Sequence, residues 1–259
     1  MASSSVVHSV NVPVRSISLP SRLQLNSIET EVNELKTFGV SLCSQKTQGG
    51  GVTICADFTR LAKLYNNIVE VIQSPHTHRT LRHQQNVKPV EEALDNSVRL
   101  LDACGTVRDL IMMMKEQVQD LQSALRRRGR DSSIGNNIHA YISFRKKLKK
   151  NIAKSLGLLK RLECYNNNVA FPIFDVDCHL SRVVKSHKQS NAVAISMFRF
   201  TLYMLHGRVP KKDVKIDARV ELRRLETLPA TIEGLEEGLD CLFRSLIKIR
   251  VSLLNILTP

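Results

Sequence analysis

Apolar residues recur every three or four positions along most of the chain. The longest run lies within Lys88–Arg130, and its members are Val90, Leu94, Val98, Leu101, Cys104, Val107, Ile111, Met114, Val118, Leu121 and Leu125. This spacing places them on one face of an α-helix. At 1.5 Å per residue the helix would be about 60 Å long, so we expect other helices to cover its stripe.

Other segments repeat the same pattern. Helices are predicted at Ser27–Gln45, from Thr53 to Ser74, from about Ile138 to the Asn166–Asn168 run, and at Ser181–His206, Asp217–Leu228 and Ile232–Leu257. Two of their stripes form coiled-coil-like seams in four-three alternation: Ile54, Phe58, Leu61, Tyr65, Ile68 and Ile72, and Leu235, Leu239, Leu242, Leu246, Ile249, Leu253 and Ile256. Pro75 and Pro229 are expected to end the helices before them, because proline lacks a backbone N–H.

Long helices with short polar connections favour antiparallel packing. The predicted fold is therefore all-α, a single elongated antiparallel helical bundle over residues 27–259 in which the last helix docks on the central one. A glycine-rich joint is expected at 46–52. Residues 1–26 are predicted to form a flexible N-terminal arm.

This arm has three interpretations. It is rich in Ser and Val and has no acidic residue before Glu29, which is typical of a disordered or targeting segment. Ser16 and Ser18 lie between Arg15 and Arg22, where they could accept phosphate. The arm could instead be a transit peptide or a simple tether, and the sequence does not separate the three.

Composition narrows the class of partner. The formal net charge is +14, with a pI near 9.8, which favours contact with an acidic protein, an anionic membrane surface or nucleic acid. There is no Trp and only 5% aromatic residues, which argues against a stacking platform for nucleic acid. The six cysteines are scattered without a CxxC pair, so we interpret them as reduced thiols.

No catalytic or cofactor-binding motif is apparent. Gly49–Gly51 lacks the Lys-Ser/Thr ending of a phosphate loop. His76 and His78 have no further ligands at metal spacing, and Asp175–His179 does not have EF-hand spacing. We therefore predict a protein that is not an enzyme and has no cofactor, no bound metal and no small-molecule substrate.

The strongest candidate for function is a basic surface on the helix that begins near Ile138. We expect Lys and Arg on its outer face and at the end of the preceding helix to bind a partner. The residues of this candidate surface are Arg126, Arg127, Arg128, Arg130, Arg145, Lys146, Lys147, Lys149, Lys150 and Lys154. A basic amphipathic helix can bind an acidic partner helix or anionic lipid.

Several motifs together resemble one known family. They are Arg15–Arg22 (RSISLPSR), Ser97–Gly105 (SVRLLDACG), Lys115–Arg128 (KEQVQDLQSALRRR), Arg145–Lys147 (RKK) and Arg250–Ile256 (RVSLLNI). They look like the plant family called domain of unknown function 241, which is grouped with the BYPASS-like proteins. The family often has His-Pro where this chain has Leu23–Gln24. The resemblance implies an all-helical plant protein without known enzymatic activity, associated with root and shoot development through control of a mobile signal.

Together these observations predict a non-catalytic regulatory or adaptor protein whose basic surface engages an acidic protein. The alternative is a peripheral membrane protein that binds anionic lipid through the same surface. Nucleic acid is disfavoured because no base-reading motif is present. We expect a cytoplasmic protein, with membrane association, chloroplast and nucleus left open, and the sequence gives no oligomeric state.

Overall fold

The computed structural model describes the backbone of residues 18–44, 50–82, 87–127, 134–168, 178–206 and 218–258, and most side chains within those ranges. Seven helices occupy this part of the chain: α1 (Ser18–Ser44), α2 (Gly50–Gln73), α3 (Pro75–Leu81), α4 (Val87–Arg127), α5 (Ile134–Asn168), α6 (Cys178–His206) and α7 (Ala218–Leu257). No strand occurs in these ranges, so the all-α prediction is confirmed.

The six long helices alternate in direction along the chain. Asn96 contacts Asn166 near one end of the α4–α5 pair, and Met114 contacts Arg145 toward the other, so the two helices are antiparallel. The same holds for α4 and α7, where Arg108 pairs with Asp240 and α7 runs back toward α4's beginning. The predicted antiparallel order therefore holds between neighbours in the sequence.

One tightly packed pair runs parallel instead. The most extensive helix–helix contact joins α2 to α7, and the next joins α4 to α7. Gly234 lies against Cys55 and Gly238 against Phe58, so α2 and α7 advance in the same direction. The expected docking of the last helix on the central helix is confirmed. Helix α7 also packs against α2, and that contact is the more extensive of the two.

The core consists of the predicted seams. Every predicted seam residue of α2 and α7 is buried, as are Ile195, Phe198, Leu202 and Leu205 of α6. The α4 stripe is buried from Cys104 to Leu121. Near the start of α4 the prediction is wrong: Val98 is exposed, while Ser97 and Leu100 are buried. Ser97 can replace an apolar residue there because its hydroxyl donates to the Leu94 carbonyl.

Some predicted helix bounds also differ. Helix α1 begins at Ser18 rather than Ser27, and Leu25 within it is buried. Residues 76–78 belong to the short helix α3 rather than to a polar loop. Helix α7 is continuous through Pro229, which was expected to end a helix. Proline removes its own N–H bond and its ring crowds the carbonyl four residues earlier, but the other backbone hydrogen bonds on either side can still form, so the helix can continue beyond it.

Two further observations concern membranes and thiols. None of the described helices has an apolar stretch long enough to cross a bilayer. Cys55, Cys104, Cys164 and Cys241 are not joined in disulfide bonds.

Candidate interaction surface

The inner face of α5 is more polar than its leucines suggest. Its buried positions follow a four-three spacing, and they are Tyr141, Arg145, Leu148, Ile152, Ser155, Leu159, Leu162 and Asn166. Ser155 donates within α5 to the Asn151 carbonyl, and Asn166 donates across to the Lys188 carbonyl of α6. This seam ties α5 to α4 and α6, and it fixes which residues of α5 face outward.

Arg145 belongs to this seam and not to the exposed basic surface. Only 7% of the residue is exposed. Its guanidinium donates to the carbonyl oxygens of Leu205 and His206 at 2.9 and 3.0 Å, and it also contacts Met114 Sδ. A cation at the carbonyl end of α6 is favourable because the helix dipole is negative there. The sequence prediction that grouped Arg145 with the exposed cations is therefore corrected.

The other predicted cations of α5 do lie together on its outer face. Lys146, Lys147, Lys149, Lys150 and Lys154 are all exposed, and so are Lys160 and Arg161 farther along. We call these seven residues the basic row. In the part of the chain that the structure describes, none of them takes part in an ion pair. The single acidic residue of α5, Glu163, pairs with Arg199 of α6 at 3.0 Å. The positive charge of the basic row is therefore available to a partner.

The remaining predicted site residues are less well placed. Arg126 and Arg127 lie in the last turn of α4, but their side chains are outside the described residues. Arg128, Arg130 and Ser16 lie outside them entirely. Ser18 is the first residue of α1, and its side chain is likewise not described.

The neighbouring helix α4 carries an opposite charge on its outer face. Exposed carboxylates lie opposite the buried stripe, and they are Glu91, Asp95, Asp102, Asp109, Glu116 and Asp120. We call these six residues the acidic row. None of them forms an ion pair within the described residues, whereas two cations on the flank of α4 that faces α7 do: Arg108 pairs with Asp240 and Lys115 with Glu236, each at 2.6 Å.

A buried polar network lies between α2, α4, α5 and α6. Tyr65 donates to Asn191 Oδ1 at 2.7 Å, and Asn96 donates to Asn166 Oδ1 at 2.9 Å. His187 is fully enclosed beside the Tyr65 ring, and burial lowers the pKa of its imidazole to about 4. The cavity beside these groups measures about 10 Å³, far smaller than the roughly 300–1,000 Å³ of small-molecule sites.

The histidines considered as metal ligands serve a different purpose. His179 makes a hydrogen-bonding contact of 2.9 Å with the Thr77 hydroxyl, and its ring meets that of His76 edge-on. No group of three or more His, Cys, Asp or Glu side chains within the described ranges is arranged to hold a metal ion. These residues join α3 to α6.

The acidic row and the buried network were not predicted from the sequence. A signal for both was present. Asp95, Asp102, Asp109 and Glu116 are spaced by seven, which marks one helical face. The α5 seam can be found by continuing the four-three spacing of Leu148, Ile152, Leu159 and Leu162 through the polar positions between and beyond them.

A family model described as "Protein BPS1" matches residues 57–221 and 210–256, which together span most of the chain. No curated protein and no solved structure matches the chain.

Proposed function

The chain belongs to the BPS1 family of BYPASS-like plant proteins, and we propose that it is a non-catalytic adaptor whose basic row on α5 binds an acidic helical segment of a protein partner. We further propose that this binding serves root and shoot development, as the family resemblance implies. The BPS1 family is not a known enzyme family. The observation that carries the proposal is the row of seven exposed cations on a single helix, none of which forms an ion pair with another described residue.

The environment of the basic row favours a protein segment over a membrane. The apolar seam of α5 is buried, so the helix has no free apolar face to insert between lipids. The acidic row lies on the adjacent helix, α4. A flat anionic surface that touched both helices would meet carboxylates as well as cations, whereas a single helix laid along α5 would meet only the cations.

The choice of partner can be tested with two defined probes. The full chain, at sub-micromolar concentration, would be titrated with polyglutamate and separately with vesicles containing phosphatidylserine, over a series of salt concentrations. The proposal predicts saturable polyglutamate binding that weakens with salt and exceeds vesicle binding. Vesicle binding without polyglutamate binding would support the membrane alternative, and binding to neither would contradict the proposal.

A further inference from the structure

We propose that the acidic partner of the basic row is the acidic row of a second copy of this chain, so that two copies form a symmetric dimer through their α4–α5 faces. This inference rests on the proposed function, because it names the occupant of the same surface. Three features of the two rows support it: their residue spacing, their positions along the bundle axis and the shape of the surface around them.

The two rows have the same repeat. Asp95, Asp102, Asp109 and Glu116 are spaced by seven residues, and so are Lys147, Lys154 and Arg161. Seven residues correspond to about 10.5 Å along a helix. A cation in one row can therefore meet a carboxylate in the other at every repeat rather than at one point. Within one chain the rows cannot meet in this way, because both point away from the core on neighbouring helices.

The heights of the two rows also correspond. Asn96 and Asn166 are in contact at 2.9 Å, which sets the level of α4 against α5. Gly105 lies nine residues after Asn96 on α4, and Gly157 lies nine residues before Asn166 on antiparallel α5. The two glycines are therefore at the same level, that is, at the same position along the bundle axis. By the same count Asp102 lies at the level of Lys160, and Asp109 lies one residue from the level of Lys154.

Dimer symmetry can preserve these levels. A twofold axis parallel to the helices leaves the position of every residue along the helix axis unchanged. It exchanges the two sides of the α4–α5 face, so α4 of one copy faces α5 of the other. Asp102, Asp109 and Glu116 then each meet a cation within one residue of their own level, and the contact occurs twice because the interface is self-complementary. A twofold axis across the helices would instead place the acidic row against its own copy, where like charges repel.

Shape supports close approach at this face. A Cβ built on Gly105 or Gly157 would meet no atom of the described residues within 4 Å, so packing against those residues requires neither glycine. Glycine within a helix is less stable than alanine, and its use here leaves the centre of the face flat. The same two helices carry exposed apolar side chains at Val98, Met112 and Leu158. Two helix faces about 30 Å long would bury roughly 1,200 Å² in total, at the lower end for stable dimers.

The test exchanges the charges of the two rows. In one variant Lys147, Lys154 and Arg161 are replaced with Glu, and in the other Asp102, Asp109 and Glu116 are replaced with Lys. Light scattering after size exclusion measures the mass of each full chain at up to about 0.1 mM, where an interface with a micromolar Kd is saturated. Wild type is expected at twice the chain mass of 29.2 kDa. Each variant alone is expected at the single-chain mass, and an equimolar mixture of the two should again give the dimer.

Three results would overturn the inference: a monomeric wild type, a dimer that persists in either variant, or a mixture that stays monomeric. If circular dichroism shows that a charge variant has lost its helices, Gly157→Leu tests the dimer instead. Its added side chain would extend into the proposed interface and would not meet the described residues of its own chain. It should be helical and monomeric, and a helical dimer would contradict the proposal. A monomeric wild type that still binds polyglutamate would refute the dimer and leave the proposed function intact.

Discussion

Gly238 of α7 lies directly against Phe58 of α2. A Cβ built on Gly238 would lie 2.9 Å from Phe58 Cβ and 3.0 Å from the backbone oxygen of Cys55. Neither atom is the end of a flexible side chain, so a methyl group can be accommodated only if the helices separate. Gly234, one turn earlier, is similarly close to Cys55. These two glycines allow the parallel helices α2 and α7 to pack closely.

Gly238→Ala is therefore expected to destabilise the fold although alanine favours helix. We expect a loss of about 1–3 kcal/mol in the free energy of unfolding, the usual cost of forcing a methyl group into a packed site. Thermal unfolding followed by circular dichroism measures it. Gly105→Ala is the matched control, because its methyl group meets only open space, and it should leave stability unchanged or raise it by up to about 1 kcal/mol. Equal effects of the two substitutions would contradict the close packing of α2 on α7.

Arg145 and Lys146 are adjacent in sequence, but the same substitution is predicted to destabilise the fold at Arg145 and to leave its stability nearly unchanged at Lys146. Arg145→Met removes the donors to the carbonyls of Leu205 and His206 and should lower the free energy of unfolding by about 2 kcal/mol. Lys146→Met changes an exposed residue and should stay within about 0.5 kcal/mol of wild type. Urea titration measures both. A stable Arg145→Met variant would show that the buried guanidinium is not needed to hold the end of α6.

His187 should make stability depend on pH. Burial holds its pKa near 4 in the folded chain, whereas the unfolded chain has the ordinary value of about 6.5. Below about pH 6.5 the unfolded state therefore binds a proton that the folded state does not. The contribution is fully present above pH 6.5 and is lost as the pH falls toward 4, to a total of about 3 kcal/mol.

This pH dependence is isolated by comparison with His187→Gln, in which the other histidines and the carboxylates still titrate. Urea midpoints measured from pH 7.5 to pH 4.5 should fall less steeply in the variant than in wild type. Parallel curves would show that His187 takes up its proton in the folded chain as readily as in the unfolded one.

The Tyr65–Asn191 hydrogen bond is expected to couple the two residues energetically. Tyr65→Phe leaves the buried Asn191 Oδ1 without its donor and should cost about 1–3 kcal/mol. Asn191→Leu in the Tyr65→Phe background should then cost less than in wild type. A double-mutant cycle from urea titrations gives the coupling, which we expect at about 1 kcal/mol, and strictly additive effects would contradict it.

The sequence predicted most reliably the helices whose buried stripes are wholly apolar. The seam of α7 from Leu235 to Ile256 was identified residue by residue, because every inward position is Leu or Ile. The burial of Ser97 and Arg145 was not predicted from the sequence, since a polar side chain is normally assigned to the solvent-exposed face. Each becomes buried only because a specific carbonyl lies within reach, and that carbonyl is supplied by the folded backbone.

The candidate surface was predicted in part for the same reason. The exposed lysines of α5 could be found from the sequence because the apolar residues between them define the opposite face. The acidic row of α4 can be read from the sequence, but its relation to the basic row can be inferred only from the structure, in which α4 and α5 are neighbours. The close approach of α7 to α2 at Gly238 could not be predicted, because glycine spacing alone does not indicate which helix will pack there.

Our proposal for α5 is a structural inner seam and a separate outer row that binds an acidic protein segment. Its most direct test measures polyglutamate affinity and thermal stability on one pair of variants. In the row variant Lys146, Lys147, Lys149 and Lys150 are replaced with Gln. In the control Lys63, Lys185, Arg244 and Lys248, all exposed on other helices, are replaced in the same way, so both lose the same net charge. We expect an unchanged Tm in both variants and at least about a tenfold loss of polyglutamate affinity in the row variant alone. Equal losses of affinity in the two variants would show that only net charge matters, and they would rule out a specific outer row.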